Sequence, residues 1–310
     1  MTVIVAGSSG LVGSAITKVF ESYGHRVVGI NRSVVNLKDK KDTLDFLNSI
    51  KPVLIVDAAA KVGGIGANSN FPVEFLSENL AIQENLMSAA YEVGVEKFIF
   101  LGSSCIYPSN CMQPIKEEYL MTGPLEPSSS AYAVAKIAGI ELINSYRKQF
   151  GLHWISLIPA NLYGPNDNFK QGESHVIPAL IRRFVEAEKD NIPSVYMWGS
   201  GSPLREFMHV DDLAKAVLLA HESYDSDLHL NIGTGQEISI KQLAELIAEI
   251  VGYKGLIEWD QEKPDGTQRK VLEVSKIKAL GWNPTITLTE GITSTIAWYK
   301  EANAMGNVRK

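Results

Sequence analysis

The chain has 310 residues, a net charge of -6, 45% hydrophobic and 21% charged residues. These values suit one large α/β domain, or a domain with a smaller lobe, and the acidic balance argues against a nucleic-acid or anionic-membrane surface. Two cysteines, Cys105 and Cys111, argue against a disulfide framework and fit a reducing, cytoplasmic setting. No basic leader precedes Val3-Ile4-Val5, and no apolar run approaches the roughly 18 residues of a membrane span.

In chain order, Val3-Ile4-Val5-Ala6 reads as a short buried strand. Gly7-Ser8-Ser9-Gly10-Leu11-Val12-Gly13 follows as a glycine loop, and a helical pattern runs on through Phe20. Strand, glycine loop and helix in that order make a dinucleotide site. The glycines let backbone approach a pyrophosphate, and free N–H groups at the helix start point at it. A second strand over residues 26–30 ends in Asn31-Arg32-Ser33. An NAD reader places an acid there for the ribose 2′-hydroxyl. The missing carboxylate and the guanidinium of Arg32 favour a 2′-phosphate, hence NADP(H).

Residues 53–56 read as a third strand, with Asp57-Ala58-Ala59-Ala60 at its end, small enough to lie beside a cofactor. A helix over 72–93, a strand over 97–101, a helix over 131–150 and a strand over 154–158 follow. The alternation predicts an α/β fold: a doubly wound parallel sheet of Rossmann type, with a smaller C-terminal α/β lobe. Ligands then belong beyond the C-terminal ends of the strands. The expected division gives residues 1–165 plus about 207–235 to the dinucleotide domain, and about 166–206 and 236–310 to the substrate lobe.

Tyr132 and Lys136 are four residues apart, so a helix puts them on one face. At roughly 4 Å and an effective dielectric of about 20, their attraction is on the order of 4 kcal/mol, or about 3 pK units. The spacing therefore predicts a phenol drawn down toward neutrality, ready to exchange a proton with a carbonyl or alcohol oxygen. Tyr-x-x-x-Lys is weak by itself and depends on its company. The fourth strand leaves through Gly102-Ser103-Ser104-Cys105-Ile106-Tyr107-Pro108, which sets the Ser103 hydroxyl at the mouth of the site. Cys105 adds a tunable thiol, or else fills the core as a small apolar residue. His175, before the next helical pattern, reads as an acid or base, or as a helix cap. Arg183, Trp198, Arg205 and the late loop Lys263-Pro264-Asp265-Gly266-Thr267-Gln268-Arg269-Lys270 bring cations and an aromatic to an acidic chain. That set fits a pyrophosphate-bearing substrate.

These stretches, together with Ala58-Ala59-Ala60-Lys61-Val62-Gly63-Gly64-Ile65, Tyr132-Ala133-Val134-Ala135-Lys136-Ile137-Ala138-Gly139, Asn161-Leu162-Tyr163-Gly164-Pro165 and Ser174-His175-Val176-Ile177-Pro178-Ala179-Leu180, run from end to end. They resemble the extended short-chain dehydrogenase/reductases that act on nucleotide sugars. Within that family the likeness is to the branch that epimerises a GDP-linked 4-keto-6-deoxy sugar at C3 and C5 and reduces it at C4. The resemblance implies Ser103, Cys105, Tyr132, Lys136 and His175 as catalytic residues. It implies NADP(H) held by Gly7, Ser8, Ser9, Gly10, Leu11, Val12, Gly13, Arg32, Ala58, Leu101, Gly102, Ser103, Ser104, Tyr132, Lys136, Pro159, Ala160, Asn161, Leu162 and His175. Arg183, Trp198, Arg205, Asp265 and Lys270 would grip the GDP end of the sugar nucleotide. A homodimer through the helices near 72–93 and 131–150 is implied as well, with no metal, nucleic acid or membrane.

Two departures stand out. Ser8-Ser9 occupies a loop where the family often carries an arginine for the 2′-phosphate, and Ser128-Ser129-Ser130-Ala131 precedes Tyr132. Other readings use the same fold. A 4,6-dehydratase usually has an Asp-Glu pair where this chain has Ser104-Cys105-Ile106, and a 4-epimerase usually has an acid at the position of Asn31. A non-catalytic NADP sensor typically loses the tyrosine or lysine that this chain keeps. An RNA-binding relative is disfavoured by the net charge.

Overall fold

The computed structural model describes residues 1–263 and 265–308. β1 (Thr2–Ala6) leads through the glycine loop into α1 (Leu11–Ser22), then β2 (Arg26–Ile30), α2 (Lys40–Ile50), β3 (Leu54–Asp57), α3 (Ile65–Asn70), α4 (Pro72–Glu92), β4 (Lys97–Leu101), α5 (Ser130–Phe150) and β5 (Ile155–Pro159). β-branched and aromatic residues dominate β1, β3, β4 and β5, and burial on both faces makes each a nearly continuous apolar run. These strands, with β10 introduced below, form one parallel six-stranded sheet in the order β10-β5-β4-β3-β1-β2. The order reverses between β1 and β3, and the crevice at that point is where a doubly wound sheet receives its ligand. α2 was not evident from the sequence. Only Thr43 and Leu47 are buried along it, so its apolar periodicity is faint, and an Asp39 side chain capping Asp42 N at 2.9 Å supplies the start signal.

The chain continues through β6 (Asn161–Tyr163), α6 (Val176–Lys189), β7 (Ser194–Trp198), β8 (Leu204–Arg205), β9 (Phe207–His209), α7 (Val210–Ser223), β10 (Leu230–Ile232), β11 (Ile238–Ser239), α8 (Ile240–Val251), β12 (Leu256–Asp260), β13 (Arg269–Lys270), α9 (Ser275–Ala279) and α10 (Leu288–Ala304). β10 is the sixth strand of the large sheet, whereas β9 pairs with β6 outside it. A second apolar core gathers Phe169, Phe184, Leu243, Ile247, Ile296 and Tyr299 from α6, α8, α10 and the loop before α6. Capping boxes at Ser239/Gln242 and Thr287/Glu290 start α8 and α10. Leu272, Val274, Ile277 and Trp282 pack into the first core instead. The stretch 271–282 thus departs from the expected grouping of 236–310 with the smaller lobe, because those side chains cover the edge beside β10.

Two buried polar clusters hold the lobes and the β4 exit in place. The Glu206 carboxylate accepts from Gly235 N at 2.7 Å and Leu272 N at 2.8 Å. Behind the β4 exit, the Tyr107 hydroxyl donates to Asn231 Oδ1 at 2.5 Å, which leaves His229 Nε2–H to donate to the phenol oxygen at 3.0 Å. Asn231 Nδ2 in turn donates to Ile115 O at 2.9 Å. Every group there is almost wholly buried, so each unmade bond would cost about 1–3 kcal/mol.

Candidate active site

A cavity of about 1730 Å³ opens at the carboxyl ends of β1, β3, β4 and β5. A pocket for one drug-sized ligand measures about 300–1,000 Å³, so this space accommodates a dinucleotide and a second nucleotide together. Its floor at one end is the glycine loop. Gly7 has φ +78, a left-handed conformation, and a Cβ on Gly13 would stand 2.2 Å from Gly7 O. Only bare backbone fits there. α1 then starts at Gly10 with no side-chain cap and no acid in its first turn. Its first N–H groups stay available to an anion such as a pyrophosphate.

At the β2 exit, Asn31 Oδ1 accepts from Ser33 N at 2.9 Å and Ser33 Oγ at 2.6 Å. This turn consumes the side chain, so Asn31 offers nothing like a carboxylate to a ribose. Arg32 is exposed on the rim of the cavity. The donor set therefore suits a 2′-phosphate. Ser9 lines the cavity, but Ser8 does not: its hydroxyl donates to Ile30 O at 3.2 Å and faces the end of β2. That corrects the expectation that both serines face the cofactor.

α5 carries Tyr132 and Lys136 against the β4 exit. It can approach closely because residue 139 is glycine, where a Cβ would meet Phe100 Cζ at 2.3 Å. Gln83 Nε2, donating to Ala135 O at 2.7 Å, ties α5 to α4. Lys136 is buried, and its ammonium donates to Leu101 O at 2.8 Å and lies 4.7 Å from the Phe100 ring centre. Burial holds the amine below its ordinary value, and the nearby Asp57 carboxylate opposes this. Asp57 itself is fully buried and pushed up to about 6 by desolvation, with Lys136 pulling the other way.

The lowered phenol expected from the spacing is not what the structure holds. Tyr132 is displaced upward, first by burial and then by the field of the Cys105 sulfur, while the Ser103 hydroxyl opposes the shift. The Lys136 ammonium is 6.0 Å from the phenol ring centre and committed to Leu101 O. Helical spacing shared the face correctly but did not place charge against the hydroxyl. Tyr132 is therefore a protonated donor at neutral pH.

Ser103, two residues past β4, caps a single 3-10 turn, its Oγ accepting from Cys105 N at 3.3 Å. Cys105 lines the cavity. Burial raises its thiol, but the Lys270 ammonium, aided by the neighbouring Ser103 and Ser129 side chains, outweighs this, so the thiol sits below its ordinary value. His175 lines the same cavity just ahead of α6 and is open to it, yet desolvation by the surrounding walls, followed by the Lys270 charge, keeps its imidazole below the usual range.

The set expected at the GDP end divides. Trp198 is 74% exposed, an open stacking platform on the cavity rim. Asp265 accepts from Ser200 N at 2.9 Å and Ser200 Oγ at 2.7 Å, and its charge faces Arg205. Pro264, in the same loop, lies outside the described residues. Arg183 is off the cavity wall, because its guanidinium donates to Tyr196 O at 2.8 Å on the edge of β7. Lys270 is not with the nucleotide-gripping residues: its Nζ is 3.6 Å from Cys105 Sγ. Ser129 was not singled out by sequence reasoning, and only its unusual place before Tyr132 marked it.

Comparison with known proteins gives concordant results. The sequence pattern of the NAD dependent epimerase/dehydratase family matches residues 3–233. GDP-L-fucose synthase of Escherichia coli (strain K12) is 47% identical over 309 residues, covering 96% of this chain and 96% of that protein. GDP-L-fucose synthase 1 of Arabidopsis thaliana is 50% identical over 298 residues, covering 96% and 92%. The solved GDP-L-fucose synthetase of Naegleria fowleri bound to NADP superposes with a TM-score of 0.91 at 28% identity, covering 100% of this chain and 96% of that one.

Proposed function

The chain belongs to the NAD dependent epimerase/dehydratase family, and from that premise we propose that it converts GDP-4-keto-6-deoxy-D-mannose to GDP-L-fucose, inverting C3 and C5 and then reducing C4 with NADPH. The observation that carries this reading is the meeting, in one cavity, of a hydroxyl pair, a lowered thiol and an imidazole: Ser103, Tyr132, Cys105 and His175. Simple carbonyl reduction needs only the first two.

In this reading Ser103 and Tyr132 donate hydrogen bonds to the C4 oxygen. Those bonds strengthen as negative charge develops on it, and so make the C3 and C5 protons removable. The Cys105 thiolate takes the proton and becomes a thiol, the C–H electron pair moves into the enolate, and His175, having taken a proton from solvent, gives it to the opposite face of the carbon and is left neutral. NADPH, when bound, supplies hydride to C4. Tyr132 then gives its hydroxyl proton to the C4 alkoxide. The glycine loop and Arg32 hold the dinucleotide, Lys136 orients its nicotinamide end, and Trp198, Arg205 and Asp265 hold the GDP in the smaller lobe.

The same reading takes the protein to be a cytoplasmic homodimer. A working thiol calls for a reducing compartment, both cysteines are free, and no described helix is long and apolar enough to cross a membrane. Val73, Leu80, Tyr91, Val134 and Phe150 leave apolar surface exposed on the paired helices α4 and α5, where a second copy would dock.

The test is incubation with GDP-4-keto-6-deoxy-D-mannose and NADPH in heavy water, with mass analysis of the product. Two solvent deuterons fixed at C3 and C5 of GDP-fucose are expected. A reduced product without deuterium at those carbons would restrict the enzyme to reduction.

A further inference from the structure

β13 consists of two residues that point to opposite faces, as neighbours on a strand must. Arg269 is exposed and committed to a carboxylate, its Nε donating to Glu237 at 2.8 Å. Lys270 turns into the cavity and brings its ammonium to 3.6 Å from Cys105 Sγ. Among the described residues it takes part in no ion pair with a carboxylate, so its charge is directed at the sulfur. Ser129 lines the same cavity and also lowers this thiol, by less than Lys270 does. This serine closes the 3-10 turn of Pro127–Ser129 immediately before α5.

We propose that Lys270 and Ser129 are positioning residues that hold Cys105 as a thiolate before any substrate arrives. Its Sγ–H proton passes to solvent, and the ammonium and the hydroxyl compensate the charge left on the sulfur. The inference rests on the reading of Cys105 as the base. It deepens that reading by assigning what activates the thiol, which is a poor base at its ordinary pKa of about 8.5.

The charged and titratable groups around the sulfur agree with this. Lys270 faces it from β13 and lowers it, and Tyr132 faces it from α5 as a neutral phenol. His175, ahead of α6, lies in the same Lys270 field and stays uncharged more readily. Cys111 also feels Lys270 but is raised overall by burial. No carboxylate is among the groups that shift Cys105.

The test reads the thiolate directly, by pH-dependent alkylation of the full-length protein with iodoacetamide. Intact-mass detection in a Cys111→Ser background isolates Cys105. The alkylation midpoint should lie below that of an ordinary thiol. Lys270→Met should raise it by about 1–3 pH units, the usual effect of removing an opposite charge at this range. At pH 7 the alkylation rate should fall at least about tenfold. Lys270→Arg should restore the midpoint, and Ser129→Ala should raise it by less than Lys270→Met does. In turnover, Lys270→Met should recover rate as pH rises, whereas a merely structural lysine would lower the rate equally at every pH. An unchanged midpoint in Lys270→Met overturns the proposal. If that variant does not fold, an unchanged midpoint in Ser129→Ala together with an ordinary wild-type midpoint does the same. The parent reading fails differently: Cys105→Ser would then leave deuterium exchange at C3 and C5 intact, whatever the alkylation profile.

Discussion

Replacing Tyr132 with phenylalanine removes one hydroxyl and little else. The ring keeps its edge-on contact with Phe75, whose centre is 6.2 Å away at 82°. Losing the hydroxyl's polar interaction with neighbouring Ser103 should cost no more than about 1 kcal/mol of stability. The catalytic loss is larger, because a positioned proton donor contributes about 10²–10⁴-fold, or about 3–5 kcal/mol of barrier. NADPH oxidation under single turnover should fall by that factor. Deuterium wash-in at C3 and C5 should partly survive, because Cys105, His175 and Ser103 remain. Since burial and the sulfur's field displace the phenol upward, the working form is the protonated one throughout the neutral range. The ratio of wild-type to variant rates should therefore be flat between about pH 6 and 8. Oxidation within about threefold of wild type would remove Tyr132 as the donor, and a ratio changing about tenfold per pH unit would mean that the phenolate is the active form.

Arg32→Ala should raise the KM for NADPH by at least about tenfold more than that for NADH, given the strength of a charge-assisted phosphate contact. An unchanged ratio would take Arg32 out of the cofactor site. Gly13→Ala places a methyl 2.2 Å from Gly7 O, so the loop must open. A loss of about 1–3 kcal/mol in stability is expected, with NADPH affinity falling with it, as read by melting and fluorescence titration. Full affinity in that variant would mean that the loop is not the cradle. His229 is held at about 4 instead of 6.5 by burial and by Lys276. Below pH 6.5 the unfolded chain takes up a proton that the folded chain refuses, so stability is lost as pH falls toward 4, by up to about 3 kcal/mol. Asp57, raised from 3.8 to about 6, works in the opposite direction over much of the same range and masks this in the wild type. His229→Gln should therefore gain about 3 kcal/mol relative to wild type between pH 7.5 and 4.5 in denaturant titrations. Parallel curves would refute the assignment.

The sequence by itself determined the large sheet, the glycine loop and the shared face of Tyr132 and Lys136. These depend on neighbours in the chain: apolar runs, turn residues and a spacing of four. The ends of β2 and β4 agree with the expected strands to the residue, and the branch of the family was legible because its motifs recur from end to end. Tertiary structure decided which charge meets which atom. Lys270 reaches Cys105 across 165 residues of chain, Arg183 is diverted to a carbonyl of β7, and the Lys136 ammonium is committed to Leu101 instead of the phenol. An electrostatic effect depends on distance and burial, which folding sets. The residue type shows that a lysine is present, and only the packed chain shows which atom its charge meets: a sulfur for Lys270 and a backbone carbonyl for Lys136.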